Sequence, residues 1–451
     1  MTLSFFILDT GALLTACCLA VAVRVLGPET AAIPVGPGAG FFGVALIGCL
    51  ATFYYSNLYD LRVTRSFGDF AAKLPKALLL VAVALGPVYV LWPALRTEIG
   101  FAVLVFSTSV VLLVPARAAL YHAAQRRPLA ERVLILGSGS LARDIAREIQ
   151  ASPARGYSLV GLVEDGSPGG NDPEFSIAGT IDAVDTLIER FTPDVVVVAL
   201  GERRGRLPMA RLLASWVNGM KVEDGIEFYE HLTQKLAIKN LSPSSVLFSE
   251  TFQKPWQALA IRRIASVAVS LVGLILTAPV MLIAAVLIKL ESSGPVFFVQ
   301  ERAGRGGRPF RLIKLRTMRN DDPGASESVW SRRVEDRTTR IGHWLRRLRI
   351  DELPQFVNIL RGDMDLVGPR PEMACNVKEM TEQIPYYALR HVVRPGVTGW
   401  AQIRNGYSVS REEVTEKTRY DLYYIKHMSP GFDLRILADT AKIVLFGRGA
   451  R

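Results

Sequence analysis

The sequence predicts a membrane protein in three parts: four N-terminal transmembrane helices, an α/β middle domain, and a C-terminal α/β domain anchored by a re-entrant helical hairpin. Three observations lead there. Half of the residues are hydrophobic and the mean hydropathy is positive, more than a soluble protein needs. A strand, a glycine turn and an amphipathic helix follow one another after residue 131, and a further uncharged run with basic flanks begins at Ile264. At 451 residues the chain exceeds one domain of roughly 100–200 residues, so a multi-part reading is also the default.

The four N-terminal runs are Leu3–Val23, which carries only Asp9, then Gly38–Leu58, Ala77–Leu95 and Ile99–Ala116. Each is close to the roughly 20 residues that a spanning helix needs. No basic stretch precedes the first and no A-x-A site follows it, so it does not read as a cleaved signal peptide. The linker "GPETAAIPVGPG" has no Lys or Arg, whereas Arg62, Arg65, Lys73 and Lys76 lie between the second and third runs. Only Arg96 separates the third and fourth, and Arg117, Arg126, Arg127 and Arg132 follow. An excess of basic residues marks the cytoplasmic side, which places the N-terminus and everything after Arg117 in the cytoplasm. Four scattered cysteines and five scattered histidines show neither a disulfide framework nor metal-ligand spacing.

"RVLILGSGSLARDIAREIQ" supplies a buried strand, a turn with Gly137, Gly139 and Ala142 as G-x-G-x-x-A, and a helix; "SLVGLVEDG" and "PDVVVVALG" read as further parallel strands. This is a Rossmann-like layout, with Glu164 and Asp165 where an acid would meet a ribose. The motif is short, and we read the domain as a regulatory or dimerising unit rather than a cofactor site.

Ile264–Ile288 holds 25 residues without a charge, preceded by Arg262 and Arg263 and followed by Lys289, Arg302, Arg305, Arg308 and Arg311. Basic flanks on both sides argue against translocating either one. Pro279 removes a helix hydrogen bond and disfavours helical geometry at Ala278, so the run is expected to break and return to the same face.

After it, "GPVFFVQERAGRGGRPFRLIKLRTMRND" reads as a strand, an Arg/Gly turn and a second strand that sets Lys314 and Arg316 on one face by period two. The helix-like run "IGHWLRRLRI" then leads into Asp351 and Glu352, and "VGPRPE" holds Arg370 between two prolines. Paired acids among cations suit a phosphate substrate. Arginine grips phosphate oxygens in bidentate fashion, carboxylates hold magnesium, and one carboxylate can attack phosphorus to form an acyl phosphate. "DLRILADTAKIVLFGRGAR" reads either as a basic amphipathic helix at the membrane interface or as a core helix.

The ordered series "RRIASVAVSLVGLILTAPVMLIAAVLIKL", "GPVFFVQERAG", "FRLIKLRTM", "DELPQFVNILRGDMDLVGPRPE" and "RPGVTGWAQI" resembles the bacterial sugar transferases, the polyprenyl-phosphate hexose-1-phosphate or monotopic phosphoglycosyl transferases. The resemblance covers Arg262 to the C-terminus. The spans and the Rossmann-like domain match the long form that initiates exopolysaccharide assembly, and "EDGIEFYEHLTQKLAIKNLSPSSVLFSETF" is similar to the branch associated with PEP-CTERM/exosortase systems. The resulting division is a four-helix transmembrane region at 1–122, a Rossmann-like cytoplasmic domain at 131–250 and a catalytic domain at 258–451 with its re-entrant hairpin at 262–290.

The resemblance implies that Asp351 attacks the β-phosphate of a UDP-sugar, releases UMP and passes the phosphosugar to undecaprenyl phosphate. Glu352 would activate the lipid phosphate or help Asp351 hold Mg²⁺, while Lys314, Arg346 and Arg370 would bind phosphate or uridine. Arg316 is added to the substrate-binding set by its place on the Lys314 face of the strand. The implied partners are UDP-sugar, undecaprenyl phosphate and membrane lipids, with no nucleic acid and with a homodimer through the middle domain. The implied location is the bacterial inner membrane, multi-pass, with the catalytic domain cytoplasmic. The chain departs from the family in Leu348-Arg349-Ile350, where Thr-Ser-Leu or similar is usual, in Asp365 for serine, and in Ala278 for a serine beside Pro279.

Two other enzymes compete with this reading. A membrane-anchored nucleotide-sugar-modifying enzyme would use the Gly137 turn but needs a Tyr-x-x-x-Lys pair, and "YEHLTQK" separates Tyr229 from Lys235 by five residues. A metal-dependent glycosyltransferase could use Asp363-Met364-Asp365 as D-x-D but leaves Asp351 and Glu352 without a task. A non-enzymatic scaffold would need only the spans and the middle domain.

Overall fold

A computed structural model describes residues 2–26, 36–56, 58–59, 67–91, 99–126, 130–151, 156–164, 175–200, 207–241, 243, 252, 254–319, 338–405 and 410–446. Asp165 and the basic residues Arg62, Arg65, Arg96 and Arg127 lie outside them. Each N-terminal apolar run becomes a helix: α1 Thr2–Leu26, α2 Gly36–Tyr55, α3 Phe67–Leu91 and α4 Ile99–Arg126. Among the described residues one of these, through Val105–His122 of α4, is long and apolar enough to cross a membrane, and α1 and α2 hold shorter apolar stretches, Phe6–Leu19 and Leu46–Tyr55. The lone acid of the first run has a partner. Arg117 of α4 donates from Nε and Nη2 to the two Asp9 carboxylate oxygens at 2.8 and 2.5 Å, and from Nη1 to the Leu58 carbonyl at 3.3 Å. Both side chains are fully buried, so the pair answers the cost that either charge would meet alone in an apolar bundle.

A five-stranded sheet follows, with β1 Glu131–Leu136, β2 Tyr157–Glu164, β3 Ile177–Thr180, β4 Val195–Val198 and β5 Lys221–Asp224. All neighbours are parallel and the order is β3-β2-β1-β4-β5, that of a doubly wound sheet. Alternation along β1 feeds both faces. Val133 and Ile135 pack with α5 (Ser140–Ala151) and α8 (Gly225–Thr233), while Leu134 and Leu136 pack with α6 (Val184–Phe191) and α7 (Met209–Val217). Gly137 has φ +124°, and a Cβ there would lie 2.6 Å from the Ala199 carbonyl oxygen. The close approach of the β1 end to the β4 end therefore demands this glycine without any ligand.

The helix α9, Trp256–Glu291, corrects one expectation. It runs without interruption through Pro279, so the run is one helix and not two separated by a break. A proline removes one bond of the ladder, and the long apolar stretches on either side keep the helix going. The burial pattern is nevertheless two-ended. Arg262, Ser266 and Ser270 are buried at the start, Ala284 and Ile288 near the end, and no residue from 271 to 283 is buried.

Both ends of α9 are fastened to the same α/β body. Arg262 donates from Nε to Asp433 at 2.5 Å and from Nη2 to the Val367 carbonyl at 3.0 Å, and Arg263 donates to the Met364 and Ile359 carbonyls at 2.9 and 2.6 Å. At the other end Glu291 accepts from the Arg340 and Ile341 amides at 2.7 and 3.1 Å, capping α10 (Arg340–Arg347) with a negative charge at its N-terminus.

That body contains the antiparallel pair β6 (Phe297–Ala303) and β7 (Pro309–Leu315) and the parallel pair β8 (Asp365–Val367) and β9 (Gly396–Thr398). Around them lie α11 (Gln355–Arg361), α12 (Val377–Gln383), α13 (Trp400–Asn405), α14 (Arg411–His427) and α15 (Pro430–Phe446). Their core holds Tyr387, Trp400, Leu422, Tyr424, Ile425 and Ile436, joined by Leu236 and Ile238 from the segment after α8. Ile436 thus makes α15 a core helix on one face, with Leu434 exposed on another.

Candidate active site

Asp351 and Glu352 sit on a single 3₁₀ turn, Ile350–Glu352, just past the end of α10. Arg349, which precedes the turn, has φ +57°. Helix ends usually place glycine or asparagine in this left-handed region, so a side chain with a Cβ is held there at a backbone cost of order 1 kcal/mol. The arrangement points the Arg349 guanidinium at Glu352, 3.9 Å away.

The helix α11 that follows the turn is stitched to β7 by Asn358, which is fully buried. Its Oδ1 accepts from the Ile313 amide at 3.0 Å, and its Nδ2 donates to the Arg311 carbonyl at 2.7 Å. The carboxamide therefore takes the place of a strand partner along β7. The next residue on β7, Lys314, is left beside the turn, where Nζ donates to Glu352 Oε1 at 3.0 Å. Arg370 donates from Nη2 to the same oxygen at 2.9 Å.

The two acids thus have opposite surroundings. Burial alone would raise the Glu352 carboxyl, but Arg370, Lys314 and Arg349 overcome it and hold it well below the usual carboxylate range. Asp351 is raised, first by burial and next by the charge of Glu352, against the pull of Lys314, Arg349 and Arg346. Its Oδ1 is buried without a hydrogen-bond partner. Four cations face two carboxylates here, a surplus that suits a diphosphate.

Of the residues expected at the site, the structure gathers Asp351, Glu352, Lys314 and Arg370. Arg346 lies close enough to act on the Asp351 charge and donates to Thr338 Oγ1 at 3.4 Å. Arg316 is not brought to the acids. β7 ends at Leu315, so strand alternation does not extend to Arg316, whose Nη2 donates to the Ser292 carbonyl and hydroxyl at 2.7 and 2.9 Å. It fastens the end of α9 instead. Asp363 and Asp365 are engaged within the fold. Asp365 meets Arg263 at 3.2 Å and Asp363 accepts from Asn358 Nδ2 at 3.2 Å. Tyr229 and Lys235 both face α14, through Arg419 and Glu416.

Sequence reasoning missed Arg349, Asn358 and a buried charge cluster behind Arg370 that comprises Glu372, Arg390, Lys417 and Asp421. An arginine at a helix end in place of glycine is the one signal that could have pointed to the first. His391 is pushed down to about 4, by burial and then by Arg390, so it is a neutral imidazole near pH 7.

A Mg²⁺ ion can be tested against these residues. This ion is bound by one or two carboxylates together with substrate phosphates and water. Asp351 Oδ1 lacks a partner and Glu352 accepts both of its closest cations on Oε1, so each acid has an oxygen to offer. The donor set fits.

The profile of the family described as bacterial sugar transferase matches residues 257–447. The chain is 45% identical over 194 residues to the UDP-N-acetylgalactosamine-undecaprenyl-phosphate N-acetylgalactosaminephosphotransferase of Aeromonas hydrophila, covering 42% of this chain and 45% of the relative. It is 34% identical over 346 residues to the undecaprenyl-phosphate glucose phosphotransferase of Komagataeibacter xylinus, covering 73% and 62%. With the UDP-glucose:undecaprenyl-phosphate glucose-1-phosphate transferase of Caulobacter vibrioides it shares 41% identity over 213 residues, 46% of this chain and 79% of that one. The chain therefore spans less than two-thirds of the first two relatives and most of the third.

Proposed function

The chain belongs to the bacterial sugar transferase family, and from that premise we propose that it moves a sugar 1-phosphate from a UDP-sugar to undecaprenyl phosphate. The observation that carries the proposal is the asymmetry of the acid pair: Glu352 Oε1 takes the cations, whereas Asp351 keeps a buried oxygen without a partner.

In the first step an Asp351 carboxylate oxygen forms a bond to the β-phosphorus. The bond from that phosphorus to the oxygen bridging the two phosphates breaks, and UMP leaves with the electron pair. Lys314, Arg370 and Arg349 lie where negative charge accumulates on the diphosphate. In the second step an oxygen of undecaprenyl phosphate attacks the same phosphorus, and the Asp351–phosphorus bond breaks to return the carboxylate. Asp351 and Glu352 Oε2 would hold Mg²⁺, which when bound neutralises phosphate charge.

We place the site at the cytoplasmic face of the bacterial inner membrane, with α1 to α4 crossing and both ends of α9 held on that face. Two contacts support this. Asp9 and Arg117 pair near the start of α1 and toward the end of α4, as two antiparallel spans with both of those ends on one side would require. Arg262 and Glu291 grip one α/β body from opposite ends of α9, whereas a hydrocarbon core of about 30 Å would separate the ends of a spanning helix.

The test is intact-protein mass after incubation with a panel of UDP-sugars and Mg²⁺ without acceptor. A hexose-phosphate increment on Asp351, lost together with UMP release in Asp351→Asn, is expected. Full activity in Asp351→Asn would sink the scheme. Release of UDP in place of UMP would indicate sugar transfer alone.

A further inference from the structure

The loop from Pro369 to Glu372 carries Arg370, and every carbonyl along it is held by a different donor. The Pro369 oxygen accepts from the Gly396 amide at 2.9 Å, the Arg370 oxygen from Arg390 Nη2 at 3.1 Å, the Pro371 oxygen from Arg302 Nη1 at 3.3 Å and the Glu372 oxygen from the Ala303 amide at 2.9 Å. Two of these donors are backbone groups of strands and one belongs to an arginine of β6. The contact to Arg370 itself comes from Arg390, twenty residues away and fully enclosed.

Arginine stays charged in a protein, so Arg390 can be buried only with anions at hand. Asp421 of α14 accepts from Nη2 at 2.7 Å, Glu372 lies 3.5 Å from Nη1, and Lys417, also on α14, pairs with Glu372. Nη1 donates in addition to the Tyr387 hydroxyl at 2.9 Å. Arg390 and Lys417 thus meet Glu372 and Asp421, and Arg302 also acts on Glu372, so the two anions have cations of their own behind Arg370. One nitrogen, Nη2, spans the Asp421 carboxylate and the Arg370 carbonyl. The planar fork fixes the angle between those two contacts, which an ammonium could not do.

We propose that Arg390 is a positioning residue for the transfer reaction: anchored by Asp421, it sets the backbone of Arg370 and with it the approach of the Arg370 guanidinium to Glu352 and the diphosphate. The proposal rests on the phosphosugar-transfer reading but is tested through diphosphate binding as well as turnover. Arg390 touches neither acid. Its whole effect on the site passes through Arg370, and that makes the effect conditional on Arg370 being present.

The experiment is a double-mutant cycle on the full chain, with Arg390→Gln, Arg370→Gln and both together. UDP affinity is read by calorimetry and UMP release from a UDP-sugar by kcat/KM. Arg390→Gln alone should weaken UDP binding and lower kcat/KM by about 10- to 100-fold, and in the Arg370→Gln background by no more than about 2-fold. Equal losses in both backgrounds mean that Arg390 only supports the fold, and overturn the proposal. Failure of the unaltered chain to bind UDP overturns it too. If UDP binds and the cycle is non-additive but no UMP is released, the positioning role stands and the reaction assignment falls. Should Arg390→Gln not accumulate as folded protein, Arg390→Lys keeps the buried cation for Asp421 and Glu372. Its loss, about 10-fold alone, should vanish on Arg370→Gln, and a loss that persists there counts against the proposal.

Discussion

Asp351 and Glu352 are covalent neighbours whose protons behave differently, and the difference can be measured. Asp351 must be ionised to attack phosphorus, and burial and the Glu352 charge both favour its protonated form. Adduct formation should therefore rise with pH through a midpoint above the ordinary aspartate value of 3.8. That limb cannot belong to Glu352, which Arg370, Lys314 and Arg349 keep ionised to much lower pH in spite of its burial. Glu352→Gln removes the like charge and leaves Lys314, Arg349 and Arg346 to act on Asp351, so the limb should move to lower pH. Lys314→Met should move it up. Single-turnover adduct yield against pH checks both signs, and an upward move in Glu352→Gln would contradict the electrostatic account. The acids, Lys314 and Arg370 were legible because they lie in short stretches whose residue types already suit a phosphate. Arg390 and Asp421 were not, since ion pairs between distant segments have no periodicity to read. Arg316 misled because one residue decides where a strand ends.

Element by element, periodicity worked where one face of a helix or strand is buried by its own unit. The four N-terminal helices overlap the apolar runs, although α3 begins at Phe67 and takes in Lys73 and Lys76 of the expected loop. β1, β2 and β4 fall where the apolar runs put them, whereas the short β3 and β5 are not among the expected strands. It worked less well for α9, where composition sets the apolar length but packing sets the shape. Sequence registers the proline and predicts a break, yet the continuous helix has no fully buried residue from 271 to 283 while its two ends bind one body. The polar anchors explain why this holds. Arg262 and Arg263 satisfy carbonyls of the β8 region and Glu291 caps α10, so pulling either end across a membrane would strip several charge-assisted bonds at once. Trp256 and Leu290, both strongly exposed near the two ends, are suitable sites for labelling. In a chain whose four cysteines are replaced by serine, Trp256→Cys and Leu290→Cys should both resist a membrane-impermeant maleimide added outside cells. Both should react once the membrane is opened. Labelling of either one in intact cells would establish a crossing helix.

At the scale of the molecule, α14 joins the parts. One side of it meets the segment around α8: Lys426 pairs with Glu230 at 2.7 Å, Arg419 donates to Tyr229 and to the Leu236 carbonyl, and Lys235 pairs with Glu416. The other side carries Lys417 and Asp421, which hold Glu372 and Arg390 behind the active-site arginine. The family match begins at residue 257, but the core it needs begins earlier, because Leu236 and Ile238 are buried among Tyr387, Trp400 and Leu422. Trp400 Nε1 donates to the Gln234 carbonyl at 3.2 Å, and a chain starting at Gln257 leaves that indole without this acceptor. Burying two aliphatic side chains contributes about 1.5–3 kcal/mol each, so their removal is costly on the scale of a domain's net stability of about 5–15 kcal/mol. In detergent, a chain starting at Gln257 should still release UMP but melt several degrees below one starting at Asp224, which retains α8 and both aliphatics. Paired thermal melts with activity measured below both transitions check this. Equal melting temperatures would mean that the middle segment adds nothing to the transferase core. Loss of UMP release in the shorter chain at a temperature where it remains folded would mean that the contacts along α14 set the active site as well as stabilising it.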